Sequence, residues 1–167
     1  MNKKIIIIVV CLLLIFIATR NSFYKPNETQ KDQNLPSSTV ESSKQVLDGQ
    51  MILNLGGVKI NTEVVKSQED LARGLSFREG LEKDAGMLFV FESLGYWGFW
   101  MKDMKFSIDI IWLDENFSVV HIEKKVAPET FPNSFEPNAL SKYVLEVNAG
   151  FVDENKIEIG SRVTLSE

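Results

Sequence analysis

The stretch Gly74–Asp109 decides the fold, and it reads GLSFREGLEKDAGMLFVFESLGYWGFWMKDMKFSID. Its glycines divide it into short segments, and one of these, Gly86–Phe91, is apolar at every position after the glycine. Because successive side chains of a strand point to opposite faces, this segment predicts a central strand that is covered on both sides. Ile108–Leu113 has the same character except for Asp109.

The flanking sequence adds further short strands and little helix. Met51–Leu55 and Val58–Val65 flank a Gly-Gly pair, a pattern that predicts a β-hairpin. Ser67 is the predicted N-cap of a short helix that ends at Gly74. The remaining predicted elements are strands at Ser118–Val126, Tyr143–Asn148 and Arg162–Leu165 and a short helix after Gly150. We therefore expect a mainly β domain, a β-sandwich or a small barrel, with one or two short helices.

The N-terminus has a different character from the rest of the chain. Behind Lys3 and Lys4, Ile5–Ala18 is an uninterrupted apolar run of 14 residues, which predicts a separate helix about 21 Å long. Since the residues that follow it fit a signal-peptidase site poorly, we prefer an uncleaved, single-pass membrane anchor over residues 1–20 to secretion after cleavage. The lysines before the run predict a cytoplasmic N-terminus and a domain outside the cell. Residues 21–47 are polar and predict a flexible linker, which leaves residues 48–167 for the globular domain.

Composition excludes several classes of function. Residues 48–167 carry 12 Lys and Arg against 20 Asp and Glu, a net charge of −8, so nucleic acid is not an expected partner. Cys11 lies in the apolar run and His121 is the single histidine, so we expect no metal site. The sequence has no G-x-S-x-G elbow, no phosphate-binding glycine loop and no H-E-x-x-H motif, and we expect no cofactor.

Two acids on predicted strands need an explanation. Asp109 and Glu146 each share a strand face with apolar residues, where an unpaired carboxylate loses several kcal/mol of hydration. Arg78 is the expected partner of Asp109, because a guanidinium binds a carboxylate in bidentate fashion; Lys102 is the other nearby cation. We prefer a structural ion pair, and the alternative is a polar cleft in which these groups meet a ligand.

The aromatic run Tyr96–Trp100 is interrupted by a glycine, so it reads as a loop that enters a strand. Core packing is the expected environment of Trp100, whereas for Trp97 the core and an exposed anchoring position remain equally open. Exposed aromatic rings can stack on sugars or anchor a protein partner. Together with the charged groups, this gives as candidate ligand-binding residues Arg78, Trp97, Trp100, Lys102, Asp103, Asp109 and Glu146.

The same residues resemble the bacterial and archaeal domain-of-unknown-function family 192 over roughly residues 58–165. The shared motifs are Gly74–Arg78, Asp84–Phe91, Phe99–Lys102, Ile108-Asp109, Ala127-Pro128, Tyr143–Glu146 and Ala149-Gly150. Where the family usually has Asn-Thr and a later Pro-Leu-Asp, this chain has Asp103-Met104 and Ser107-Ile108-Asp109. The resemblance implies a compact β-rich domain that is often exported or membrane-tethered, and it supplies no established activity.

These observations favour a membrane-tethered extracytoplasmic domain that is a non-catalytic binding module for a glycan or another polar cell-envelope ligand. One alternative is a hydrolase that uses two of Asp103, Asp109 and Glu146 as acid and base. The other is a protein-interaction or assembly domain that binds an envelope protein through an exposed apolar patch.

Overall fold

The structure is a computed structural model, and it describes residues 49–166. The anchor and linker predicted for residues 1–20 and 21–47 lie outside the described residues. Within residues 49–166 there is no helix of the length and apolar character needed to cross a membrane.

The described chain forms nine strands and two short α-helices. The helices are α1 (Gln68–Arg73) and α2 (Phe151–Glu154), and a 3₁₀ turn covers Pro128–Thr130. The strands are β1 (Gln50–Leu55), β2 (Val58–Val65), β3 (Ala85–Gly95), β4 (Phe99–Trp100), β5 (Ile108–Leu113), β6 (Val119–Val126), β7 (Ser134–Phe135), β8 (Ser141–Asn148) and β9 (Thr164–Leu165).

Seven of these strands form one curled sheet in the order β6-β5-β8-β3-β2-β1-β9, and β4 pairs with β7 in a separate ribbon. β2 and β3 are parallel, so the chain crosses over between them through α1 and residues 74–84. The segment before β9 also reaches the far edge of the sheet, where Arg162 forms a bridge with Ser118. The sheet therefore curls into a half-barrel.

The mainly β class, the hairpin and both short helices are confirmed. β1 and β2 pair antiparallel across Gly56-Gly57, and the Ser67 hydroxyl accepts a hydrogen bond from the Asp70 amide at the start of α1. Of the two predicted architectures, the half-barrel comes nearer to the small barrel, because a single sheet and not a pair of facing sheets carries the core.

Apolar residues cover both faces of the central strands, as their sequences predict. On the concave side the core contains Leu88, Ile111 and Leu145 and is closed by α2. On the convex side it contains Phe89, Trp112 and other residues that are covered by α1 and the chain around residues 97–106. Every residue of β5 is buried. The convex side positions the candidate site.

Candidate functional site

A pocket of about 280 Å³ opens on the convex side, between the end of α1 and the loop that follows β3. We call it the aromatic pocket. Five aromatic side chains, one acid and several small or aliphatic residues line it: Leu71, Ala72, Arg73, Gly74, Leu75, Ser76, Phe89, Phe91, Trp97, Gly98, Phe99, Trp100, Met104 and Glu146.

Gly74 allows the chain to turn closely over the floor of this pocket. It ends α1 with φ of 50° and ψ of −133°, a conformation that L side chains rarely adopt. A Cβ atom at this position would lie 3.1 Å from Cζ of Phe89 and 4.0 Å from Oε2 of Glu146. The glycine thus brings the backbone into contact with both the aromatic wall and the acid.

The aromatic wall is held by ring packing and by one hydrogen bond. Phe91 and Trp97 stack with centroids 4.1 Å apart, and Phe89 meets Phe99 edge to face at 4.8 Å. The indole N–H of Trp112 donates to the carbonyl of Trp97 at 2.8 Å. Since such pairs add to the stability gained by burial alone, the loop that carries Trp97 is fixed against the core and the wall is pre-formed.

Glu146 is the acid of the pocket, and one of its carboxyl oxygens lacks a hydrogen-bond partner among residues 49–166. It lies on β8 opposite Met87 of β3 and Ile110 of β5, both of which belong to the convex core. Glu146 is only 5% exposed, and its Oε2 atom has no hydrogen-bond partner. Burial raises the pKa of this carboxyl from 4.5 to about 8, and the charge of Arg78 opposes that rise.

A second unpaired polar atom belongs to a residue that lines the same pocket. Within residues 49–166, the buried side-chain nitrogen and oxygen atoms that lack a hydrogen-bond partner are Nε1 of Trp97 and Oε2 of Glu146. Both residues line the aromatic pocket. Native proteins rarely leave buried polar groups unpaired. The Trp97 nitrogen lies beside Gly95, which does not line the pocket, so the unpaired Glu146 carboxyl is what marks the pocket as the candidate site.

Asp109 is buried as predicted, but the predicted pairing with Arg78 is wrong. The Asp109 carboxylate is 0% exposed and accepts backbone N–H bonds from Lys125 at 2.7 Å, Gly150 at 3.1 Å and Val152 at 2.9 Å. A bulge in β6 and the turn before α2 leave these N–H groups free of the sheet ladder. Backbone donors therefore stabilise the anion, and no cation has to enter the core.

Arg78 pairs instead with Glu63, a neighbour on β2. Its Nη2 atom lies 3.0 and 2.9 Å from the two carboxylate oxygens of Glu63, and both side chains are partly exposed. Arg78 lines a different surface depression from the aromatic pocket. Its link to the candidate site is electrostatic, through its effect on the pKa of Glu146.

The remaining predicted site residues lie at the rim or outside it. Trp100 is 53% exposed, so its expected place in the core is wrong; its ring packs edge to face on Phe131 with centroids 5.9 Å apart. Lys102 Nζ lies 5.7 Å from the Trp100 ring centroid. Asp103 is an exposed turn residue with φ of 56° whose carbonyl accepts a hydrogen bond from the Phe77 amide.

The structure thus brings together Trp97, Trp100 and Glu146, with Lys102 beside Trp100, and it places Arg78, Asp103 and Asp109 elsewhere. Sequence reasoning missed Phe89, Phe91 and Phe99 as pocket-lining residues, because alternation in β3 predicts a core role for the first two. The signal that pointed to the site was Glu146, an acid among apolar neighbours. Within residues 49–166, no group of three or more His, Cys, Asp or Glu is placed to hold a metal ion.

Comparisons with known proteins give a family and a fold. The model of the DUF192 family, described as "Uncharacterized ACR, COG1430", matches residues 51–165. A proposed transcription regulator from Sinorhizobium meliloti 1021 is similar in structure, with a TM-score of 0.66 and 22% identity over 72% of this chain and 96% of that chain. A protein of unknown function from Novosphingobium aromaticivorans DSM 12444 has a TM-score of 0.63 and 22% identity over 83% of this chain and 99% of that chain. No curated protein matches the sequence.

Proposed function

The chain belongs to the DUF192 family, and we propose that its β domain is a non-catalytic binding module for a glycan or another polar ligand of the cell envelope. The ligand occupies the aromatic pocket. The observation that carries this proposal is Glu146, a buried acid whose Oε2 atom lacks a partner and which lines a pocket walled by aromatic rings.

The pocket has the composition of a ligand site. Binding pockets are mostly apolar, with a small number of polar groups that fix the orientation of the ligand. Here the polar group is the Glu146 carboxyl, and the wall is aromatic. A volume of about 280 Å³ fits one ring-sized group of a larger ligand. Trp100 at the rim offers an exposed face on which a second ring can stack.

The same geometry disfavours a hydrolase with paired carboxylates. Such an enzyme needs two carboxyl groups roughly 5–9.5 Å apart across an open cleft. Glu146 faces the convex side with Ile110, whereas the adjacent Asp109 faces the concave side. Among the described residues that line the aromatic pocket, Glu146 is the single acid, so a two-carboxylate mechanism has no second group.

The proposal includes the location of the domain. The apolar run Ile5–Ala18 and the polar linker 21–47 favour tethering to the outer side of the cell membrane. Protease added to intact cells tests this, because digestion of the domain in intact cells supports an outside location and protection until lysis contradicts it.

One specific observation keeps a second candidate, a protein-interaction domain. Leu94, Tyr96 and Leu140 are 43%, 60% and 47% exposed, and the Gly95–Ser141 pairing brings these segments together. Exposed apolar patches of this kind mark interfaces. Affinity capture from solubilised membranes with the full chain and with Tyr96→Ser separates the two candidates, since loss of one stoichiometric partner favours the interaction role.

Calorimetric titration of the full chain with a panel of cell-wall glycan fragments tests the binding module. We expect saturable binding that Trp100→Ala weakens and Phe77→Ala leaves unchanged, because Phe77 is also exposed but lies outside the pocket. Heat signals without saturation across the panel contradict the proposal, and so does equal weakening by both substitutions.

A further inference from the structure

The charge state of the aromatic pocket limits the chemistry of its ligand. Among residues 49–166, the Oε2 atom of Glu146 has no hydrogen-bond partner, and only 5% of the residue is exposed to solvent. A buried anion without a counter-charge is costly. The carboxyl is therefore neutral while the pocket is empty, and a cation that binds beside it would supply the partner that Oε2 lacks.

Within residues 49–166, Arg73, Arg78 and Lys102 do not fill this role. Arg73 lines the pocket, but its guanidinium is bound to Glu69 at 2.6 Å and lies 3.8 Å from Asp70. Arg78 is bound to Glu63, and Lys102 lies over the exposed indole ring of Trp100. These three cations of the described chain are thus held by other partners, and none of them forms an ion pair with Glu146.

The wall of the pocket selects among positively charged groups. Phe89, Phe91, Trp97, Phe99 and Trp100 line the pocket together with Glu146. Phe91 and Trp97 stack on each other, so one face of each ring is covered and the other faces remain for a ligand. The faces of aromatic rings attract cations, most strongly where water is excluded, and aromatic cages are the common device for binding organic ammonium groups. An apolar wall disfavours a hydrated metal ion, whose oxygen ligands it cannot replace.

From this juxtaposition we infer that the aromatic pocket binds an organic ammonium group, with Glu146 as its counter-ion and the aromatic rings as its cage. The inference rests on the proposed function and specifies its ligand class. An amino sugar of an envelope glycan carries this group, and so does the headgroup of an ethanolamine or choline lipid.

The ammonium ion also explains how the ligand can bind to an acid that is protonated when the pocket is empty. The incoming cation displaces the proton, which leaves the Glu146 carboxyl for the solvent, and an ion pair replaces the neutral acid. Affinity for a cation whose charge does not titrate must then rise with pH up to about 8, the pKa of the free carboxyl. The slope is one released proton, or roughly tenfold in affinity per pH unit below that value.

Tetramethylammonium is the probe, because its charge is independent of pH. The full chain is purified in an uncharged polyoxyethylene detergent and titrated calorimetrically between pH 5.5 and 7.5 at constant ionic strength, with sodium as the reference cation. We expect affinity to rise roughly 80-fold over this range, because the slope flattens as the pH approaches the pKa. Glu146→Gln abolishes the rise and weakens binding at least tenfold at pH 7.5, while Glu129→Gln, at an exposed acid outside the pocket, changes neither.

Three results decide the inference. A rise with pH that depends on Glu146 supports it. Binding that is independent of pH, or that persists unchanged in Glu146→Gln, overturns it. Absence of tetramethylammonium binding to the native chain at pH 7.5 overturns it as well. The tryptophan emission spectrum of each variant is compared with that of the native chain to verify that the variant is folded.

A second set of probes separates the two sources of the ammonium group and separates this inference from the proposed function. Glucosamine oligomers bound more tightly than glycerophosphoethanolamine assign the group to a glycan, and the reverse order assigns it to a lipid headgroup. If N-acetylglucosamine oligomers, which lack the charge, bind as tightly as glucosamine oligomers, the binding module stands and the ammonium inference falls. If no glycan and no ammonium compound binds, both fall.

Discussion

Glu146→Gln is expected to stabilise the protein at neutral pH while leaving its stability at acid pH nearly unchanged. Glutamine has the shape of the protonated acid, so it keeps the packing around β8 and removes the ionisable group. The comparison between the two proteins therefore isolates the effect of one carboxyl that cannot ionise in the folded state, and the contributions of the other titrating groups cancel.

The magnitude follows from the pKa values. In the folded state burial raises the pKa of Glu146 from 4.5 to about 8, and in the unfolded chain we take it to stay near the ordinary value. Below pH 4.5 both states are protonated and the contribution to stability is fully present. As pH rises towards 8 the unfolded state ionises and the folded state does not, so stability falls by about 1.36 kcal/mol per pH unit. At pH 7 the loss is roughly 3 kcal/mol.

The assay is urea unfolding of the full chain and of Glu146→Gln, followed by tryptophan emission at pH 4.5, 6, 7 and 8. All three tryptophans lie in the domain, so the emission reports its unfolding. We expect the difference in the free energy of unfolding to grow in favour of the glutamine variant from pH 4.5 to 8. Parallel stability curves for the two proteins over this range would refute the reasoning, because they would mean that the carboxyl is hydrated or paired.

Three further changes test other parts of the structure. Asp109→Ala removes the acceptor of three backbone N–H groups, one of them buried and two partly buried, so we expect it to lower the free energy of unfolding by about 3 kcal/mol in urea; a loss below about 1 kcal/mol would contradict this expectation. Gly74→Ala places a side chain on a strained backbone conformation, 3.1 Å from the Phe89 ring. We expect the free energy of unfolding to fall by about 1–3 kcal/mol and ligand binding at the pocket to weaken in calorimetry. Unchanged stability would contradict the close approach of the backbone at Gly74. Arg78→Met breaks a partly exposed ion pair, which costs under about 1 kcal/mol of stability. It also removes the charge that lowers the pKa of Glu146, so we expect the Glu146 carboxyl to titrate at a higher pH in a ¹³C resonance titration. A shift to lower pH would contradict this role of Arg78.

The strands and turns could be predicted because their signals are local. β5 is apolar on both faces apart from one acid, and it is the strand with every residue buried. The helix start at Ser67 and its end at Gly74 follow from capping chemistry that needs only neighbouring residues. The curl of the sheet was not predictable in the same way, since it depends on the segment before β9 reaching Ser118, a contact between distant parts of the chain.

The partners of the two buried acids could not be predicted from the sequence. Sequence pattern indicated that Asp109 and Glu146 needed a partner, and both are buried. It could not indicate that Asp109 finds backbone N–H groups across a bulge, nor that Glu146 has no partner at Oε2. Pairing depends on the three-dimensional path of the backbone, so charge alone could not show that Arg78 pairs with Glu63 and not with Asp109.

The most direct test is a ¹³C NMR titration of the glutamate side-chain carboxyls in the full chain, with Glu146→Gln to identify the resonance. For the free protein we expect one carboxyl resonance that titrates near pH 8 and that is missing from the spectrum of Glu146→Gln. With saturating tetramethylammonium the same resonance must titrate at least one pH unit lower, because the cation stabilises the charged form. If every glutamate titrates between pH 4 and 5, or the cation leaves this resonance unmoved, the central claim of an unpaired acid awaiting a cationic ligand is wrong.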